Sequence, residues 1–376
     1  MTKVIQVISD TNIGGAGYVV LNHLKFSDRE KFSVKVVLPK GSLLKPEIEK
    51  LNYEVIETEY GADKSLDFKA ISEFKKIFKA ERPDVVHTHS SLSARIAAWR
   101  CGVKSRIYTK HCVAAAGKLH GIIGNRISTH IIAVSQVAKD ILLGAGVKPD
   151  RITFIPNGVE PVRRLTEEEK VNTRTKFGIT KDDFVFGITA RLVPFKGHKY
   201  FIDAAKILTE KYENCKFLIV GIGEEEQNLK QQAIDVKLNV GDDALGFPQN
   251  NTTDKVIFTG FLKNVSAATN IMDVFVNSSS DTEASSLAMI EAMSVSTPVV
   301  ATVGGGNPYM IEEGRNGLLV PIQDSSALAE AMAKMMLNKD LYTKTSQGAY
   351  EIYLEKFTAE IMTRQIEEIY ERGLQR

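Results

Sequence analysis

Short apolar runs rich in valine, isoleucine and phenylalanine alternate with helix-period patterns along almost the whole sequence. In the first half the runs lie at 4–8, 34–38, 53–56, 85–87, 106–109 and 131–134, with helical patterns at 68–79 and 92–99 between them. In the second half they lie at 184–190, 217–220, 256–261, 274–277, 298–301 and 317–321. Runs of this length without polar alternation read as strands buried on both faces, and strands joined through helices pair in parallel. An α/β fold is therefore predicted, with helices on both faces of parallel sheet and ligands off the strands' carboxyl ends. The 376 residues, 43% of them hydrophobic, supply two cores rather than one. The break falls after Ile155-Pro156-Asn157-Gly158-Val159-Glu160, where a charged stretch at 163–181 with one short helical pattern reads as a linker. Domains are expected at 1–162 and 163–355, with a last segment at 356–376.

Several function classes drop out on composition. Cys101, Cys112 and Cys215 are few and widely spaced, with no Cys-x-x-Cys, so neither a disulfide framework nor a zinc site is expected. No apolar run reaches the roughly 18 to 20 residues that span a bilayer, and the opening residues read as a strand rather than a secretory signal. A cytoplasmic protein, or one on a membrane's cytoplasmic face, is the expectation.

Two carboxylates, Glu283 and Glu291, stand with seven residues between them across a strand-to-helix junction. Glu283 falls on the loop after the run at 274–277, and Glu291 on the helical pattern at 287–295. Ser285 or Ser286 can cap that helix, whose free N–H groups and positive dipole end then suit an anion. Glu291, among Leu287, Met289, Ile290 and Met293, needs a partner if it is buried; otherwise it is a surface glutamate with a solvated head. Arg191 and Lys196, on a loop leaving the run at 184–190, can converge on one diphosphate or remain two solvated cations. Near the start, Gly14-Gly15-Ala16-Gly17 follows a strand and precedes a helix, a turn that lets backbone approach a phosphate or sugar or simply turns tightly. It lacks the third glycine of a dinucleotide fingerprint, and the second strand ends in Pro39-Lys40 with no acid for a ribose.

The unit Glu283-x7-Glu291, then Ala292-Met293 and Thr297-Pro298-Val299-Val300-Ala301, resembles the signature of the retaining glycosyltransferases of family 4. Arg191…Lys196-Gly197, Asp84-Val-Val-His87-Thr-His89-Ser90 and the Pro156-Asn157-Gly158 turn extend the resemblance to nearly the whole chain. It implies the GT-B fold, two Rossmann-like domains facing across a cleft, with the final helix packing back on the first. It implies transfer of a hexose from a nucleotide-diphosphate donor, a UDP-sugar, to a glycan or lipid-linked acceptor with retained configuration. No metal or other cofactor is implied, and the setting is synthesis of cell-surface polysaccharide or glycolipid. The resemblance also assigns roles. Glu283 contacts the donor sugar and Glu291 the ribose; Arg191 and Lys196 hold the diphosphate; Ala284, Ser285, Ser286 and Leu287 line the donor site; Gly14 and Gly15 approach donor or acceptor. Three positions depart from the pattern: Ala284 and Ser296 replace usual glycines, and Tyr309 a frequent glutamate.

His111 follows Ile107-Tyr108-Thr109-Lys110 at a carboxyl end. There a neutral imidazole can bond a sugar hydroxyl or a phosphate-side oxygen, as the resemblance implies, or simply bond backbone. The neighbouring Cys112 reads as a small packing residue. His87 and His89 are expected on opposite faces of their strand with no third ligand near, which argues against metal. Between 85 and 139 there is no acid, while Arg95, Arg100, Lys104, Arg106, Lys110, Lys118, Arg126 and Lys139 give +8 locally in a chain of net charge +2. Such a block favours an anionic acceptor or an anionic lipid surface at the inner leaflet, unless its counter-charges lie elsewhere in the fold. No aromatic stacking pattern accompanies it, so nucleic acid is not an expected partner. The polar stretch 238–254 reads as an exposed excursion. Competing readings are a nucleotide-sugar epimerase of similar fold, a dinucleotide oxidoreductase and a non-catalytic sugar-nucleotide-binding subunit.

Overall fold

The computed structural model describes residues 1–60, 67–242, 252–280 and 283–375. The chain divides into two compact units, one formed by Met1–Glu160 with Phe357–Arg376 and the other by Pro161–Lys356.

In the first unit seven strands form one parallel sheet: β1 (Thr2–Ile8), β2 (Phe32–Pro39), β3 (Glu54–Thr58), β4 (Val85–His89), β5 (Ser105–Lys110), β6 (His130–Ala133) and β7 (Ile152–Phe154), in the order β3-β2-β1-β4-β5-β6-β7. The central strands β1 and β4 are buried on both sides because helices cover both faces. One covering layer packs Phe74 and Phe78 of the helix Phe68–Glu81 and Ala94, Ala97 and Ala98 of the helix Leu92–Arg100 against Ile5, Val7 and Val86. Alanines on the second helix let it approach the first closely. The final helix, Ala359–Leu374, is capped by Thr358 and belongs to this unit, where its Tyr370 is fully buried.

The second unit repeats the plan with β8 (Phe184–Thr189), β9 (Cys215–Val220), β10 (Val240–Asp242), β11 (Val256–Phe258), β12 (Val274–Asn277), β13 (Val299–Thr302) and β14 (Gly317–Val320), in the order β10-β11-β9-β8-β12-β13-β14. Phe186, Phe201, Phe217 and Phe258 fill its core with Met332 and Met335. The stretch 238–254 is not wholly an excursion: Val240–Asp242 pairs with β11, and Leu238 and Asp254 are buried. Residues 243–251 lie outside the described residues.

Each sheet contains one place where consecutive connections leave in opposite directions, between β1 and β4 in the first and between β8 and β12 in the second. Loops part there at the carboxyl ends and leave a crevice for a ligand.

Candidate active site

In the second unit, Arg191 follows β8, and Ser278, Ser279 and Ser280 follow β12 on the other side of the crevice. The two loops are stapled together. Pro194–Lys196 forms a single tight turn that ends at Gly197 with φ +71°. A Cβ on Gly197 would lie 2.0 Å from the Ser278 carbonyl oxygen, so both the conformation and the close approach require glycine. Ser278 Oγ donates to the Gly197 carbonyl at 3.0 Å, and the Ser280 N–H donates to the Phe195 carbonyl at 2.9 Å. This staple brings Lys196 Nζ onto the carboxylate of Glu283 as an ion pair. Ser279 Oγ also donates to Glu283 at 3.4 Å. Behind it, the Gly306 N–H donates to the Glu283 carbonyl at 2.8 Å, and a Cβ on Gly305, φ +58°, would fall 2.0 Å from the same oxygen.

Lys196 is thus not the solvated cation that the sequence allowed. Glu283 is only 8% exposed, and a carboxylate so far removed from water needs a counter-charge, which the stapled turn supplies. Arg191 is exposed and makes no side-chain bond or ion pair among the described residues, so one cation of the pair is occupied and one is open. Asp281 and Thr282 lie outside the described residues.

The helix following Glu283 runs Leu287–Ser294, and its cap is Ser286, whose Oγ accepts from the Met289 N–H at 3.3 Å. Ala284 is buried beside Glu283, and Ser285 and Leu287 are half-buried. Glu291 lies on this helix, and its carboxyl has no partner among the described residues. Burial alone pushes it up to about 7, the carboxyl surrendering its charge where nothing balances it. Of the three departures from the family pattern, Ser296 has φ +69°, the left-handed conformation that glycine ordinarily takes. Arg164 Nη2 donates to its hydroxyl at 2.8 Å and holds it there. Tyr309 stands half-exposed with Lys356 Nζ 5.4 Å from its ring centre.

In the first unit, the helix Gly15–Phe26 starts directly after Gly14, both glycines are exposed, and no side chain caps it. A Cβ on Gly14 would meet nothing within 4 Å, so packing does not demand the glycine. His87 and His89 share a face rather than opposing each other, because residues two apart on a strand point the same way. Their ring centres are 4.4 Å apart. His111, immediately after β5, joins them: its Nε2 lies 2.9 Å from His89 Nδ1. His87 is held by Tyr370 Oη at 2.8 Å and Thr109 Oγ1 at 2.7 Å. Burial lowers all three imidazoles, His111 to about 4, and they are neutral at pH 7. Among the described residues no group of three or more His, Cys, Asp or Glu side chains could hold a metal ion. Cys112 is exposed, so it does not serve packing.

Seven of the eight cations of the acid-free block fall into two sets, while Lys139 is half-buried on the helix Gln136–Gly144. Arg95 is buried with its guanidinium 4.1 Å from the Tyr108 ring centre, Arg106 donates to the Ile127 carbonyl at 2.8 Å, and buried Lys110 donates to the Ala114 carbonyl at 2.9 Å. These three hold the fold. Arg100, Lys104, Lys118 and Arg126 are exposed, the last two on the helix Lys118–Ile127 with exposed Leu119 and Ile122.

Residues 169–352 match the family described as glycosyl transferases group 1, and residues 13–163 match glycosyltransferase family 4. The two matches together span most of the chain, which is a glycosyltransferase. It is 28% identical over 292 residues to the UDP-Gal:alpha-D-GlcNAc-diphosphoundecaprenol alpha-1,3-galactosyltransferase of Escherichia coli, covering 73% of this chain and 72% of that one. It is 24% identical over 325 residues to the capsular polysaccharide biosynthesis glycosyltransferase CapM of Staphylococcus aureus, covering 81% and 80%. In fold it resembles HepE of Anabaena in complex with UDP, with TM-score 0.83, 20% identity and coverage of 99% of this chain and 100% of that one. A glycosyltransferase from Rickettsia africae gives TM-score 0.85 at 21% identity, covering 99% and 98%. The architecture of this glycosyltransferase is GT-B.

Sequence reasoning missed Ser278, Ser279 and Ser280, which set the lysine turn and its carboxylate. Three successive serines directly after a buried strand were the available signal. It also missed His89 and Tyr370 as parts of the His111 surroundings.

Proposed function

We propose that this glycosyltransferase moves a hexose from a UDP-sugar to a glycan or lipid-linked acceptor with retention of anomeric configuration, in synthesis of cell-surface polysaccharide or glycolipid. The observation that carries the reading is the stapled Lys196–Glu283 pair beside the open Arg191 at the crevice of the second sheet. A diphosphate entering there takes the place of Glu283 on Lys196 and engages Arg191 as a fork. Glu283, released, accepts from hydroxyls of the transferred sugar, and Glu291 accepts from the ribose. The sugar C1–O bond to phosphate breaks as C1 bonds the acceptor oxygen on the same face, and the acceptor's proton passes to the departing phosphate oxygen. Arg191, Lys196 and the helix start at Ser286 balance the charge that develops, so no metal is needed for the leaving group. Gly15 leaves its backbone N–H open to donor or acceptor, the exposed Gly14, whose N–H donates to the Asn12 carbonyl at 3.0 Å, lets either approach closely, and His111 supports the transfer step. The UDP-Gal donor of the E. coli relative and the UDP held by HepE support a uridine donor. The exposed cations of the helix Lys118–Ile127, with Leu119 and Ile122, support an anionic acceptor or leaflet as partner.

Thermal denaturation with UDP, UDP-glucose, UDP-galactose, UDP-N-acetylglucosamine, GDP and NAD tests the donor. A ligand at about 100 times its dissociation constant stabilises by roughly 2.7 kcal/mol. UDP and one UDP-sugar are expected to do so; stabilisation by NAD alone, or by none, sinks the reading.

A further inference from the structure

The role given to His111 leaves unexplained the histidine that holds it. Strands β4 and β5 are neighbours, His89 closes the first, and His111 follows the second, so both rings stand at the carboxyl edge of the first sheet. His89 pairs in register with Ile8 at the end of β1, which sets it at that sheet's crevice. The rings of His89 and His111 lie nearly parallel, 24° apart with centres at 5.1 Å, and His89 Nδ1 is 2.9 Å from His111 Nε2. On its other side His89 packs on His87, whose two nitrogens are both engaged by Tyr370 and Thr109. His89 is thus clamped between a ring that cannot turn and the ring it bonds.

A neutral imidazole has one N–H and one lone pair. Since His89 occupies His111 Nε2, only Nδ1 of His111 is left for a substrate. The direction of the shared bond follows from the far side of His89, where Nε2 is buried without a partner among the described residues. A bare buried N–H is rarer in folded proteins than an under-used acceptor, so the His89 proton belongs on Nδ1. It is donated to His111 Nε2, and the proton of His111 must then sit on its own Nδ1.

We propose that His89 is a positioning residue that fixes both the orientation and the tautomer of His111, so that His111 meets the substrate only as an Nδ1–H donor. Resting on the transfer reading above, the acceptor of that bond is an oxygen of the transferred sugar or of the departing phosphate. No proton leaves the imidazole. The donor is held in place before charge develops on that oxygen, which is where a fixed dipole acts most strongly.

Long-range proton–nitrogen correlation spectra of histidine-labelled protein read the tautomer directly, with no need for turnover. In the unsubstituted protein His111 is expected as a single species protonated at Nδ1 and bare at Nε2. In His89→Ala it should relax to an exchanging mixture. A His111 protonated at Nε2, or already mixed with His89 in place, overturns the proposal. The kinetic arm uses whichever of UDP-glucose, UDP-galactose and UDP-N-acetylglucosamine is turned over. His89→Ala should lower kcat at least about tenfold while leaving the calorimetric affinity for UDP unchanged. His89→Asn, whose amide N–H takes the place of Nδ1–H, should restore most of that loss, and a purely structural role would not be rescued in this way. Likewise His111→Asn, which places an amide where Nδ1 was, should outperform His111→Gln, which places it where Nε2 was. Equal loss from both in folded protein also overturns the proposal. A fixed tautomer in a protein that transfers no sugar would instead refute the transfer reading and leave the positioning role standing.

Discussion

At pH 8 the carboxyl of Glu291 is ionised inside the second unit with no partner among the described residues, and replacing it by glutamine isolates that charge. Its folded value of about 7 lies above the ordinary 4.5, so the fold favours the protonated form. Stability is therefore greatest below 4.5, falls as pH rises through the interval to 7, and is at its lowest above that. At 1.36 kcal/mol per pH unit the charge costs the fold about 3 kcal/mol at pH 8, to order of magnitude. Glu291→Gln should accordingly be more stable than the unsubstituted protein in urea at pH 8 and indistinguishable from it at pH 4. The same carboxyl links donor binding to pH. If it accepts from the ribose as a carboxylate, UDP must expel its proton, about half a proton per UDP at pH 7. Affinity should then weaken about fivefold between pH 7 and pH 6 beyond whatever Glu291→Gln shows, the variant cancelling the titration of UDP itself. Calorimetry in two buffers of different ionisation enthalpy reads both quantities. Equal proton release and equal pH dependence in the two proteins would refute Glu291 as a ribose ligand, and no stability difference at pH 8 would refute the uncompensated charge.

Lys196→Met should cost about 3 to 5 kcal/mol in urea denaturation, since it strands the buried Glu283 carboxylate. Lys196→Met with Glu283→Gln should recover much of that stability while turnover of the UDP-sugar stays down by about 10²-fold or more. Ser296→Val should destabilise by about 1 to 3 kcal/mol, because a β-branched side chain is forced to φ +69°, whereas Ser296→Gly should stay within about 1 kcal/mol of the original; thermal denaturation compares them. Reversing Arg100, Lys104, Lys118 and Arg126 should abolish sedimentation with anionic liposomes at low salt, each cation near such a surface contributing about 1 kcal/mol. UDP affinity should be unchanged.

The strand alternation was legible because burial on both faces leaves unbroken apolar runs. Edge strand β10 was hidden by its brevity and the polar residues around it, and the helix Lys339–Lys356 by its low overall hydropathy. The motif residues of the second unit were legible in kind but not in state. Lys196 and Glu283 are 87 residues apart, and nothing local in the sequence says that one would neutralise the other. For His87 and His89 the two-residue period of a strand is enough to put them on one face. Tyr370, 283 residues beyond His87, comes to it only because the last helix belongs to the first unit. Arg95, Arg106 and Lys110 could not be told from the rest of the basic block, because cations turned inward onto carbonyls and a tyrosine ring look the same in sequence as cations on a surface.

Retaining transfer from a UDP-sugar is tested most directly by proton NMR of the first sugar that the protein releases from the UDP-sugar that stabilises it, with water as acceptor and observation faster than mutarotation. The α-anomer is expected to appear first, together with UDP, and to vanish in Lys196→Met. First release of the β-anomer would contradict retention, an isomerised UDP-sugar with no UDP would reveal an epimerase, and binding without any product would reduce the chain to a sugar-nucleotide-binding protein.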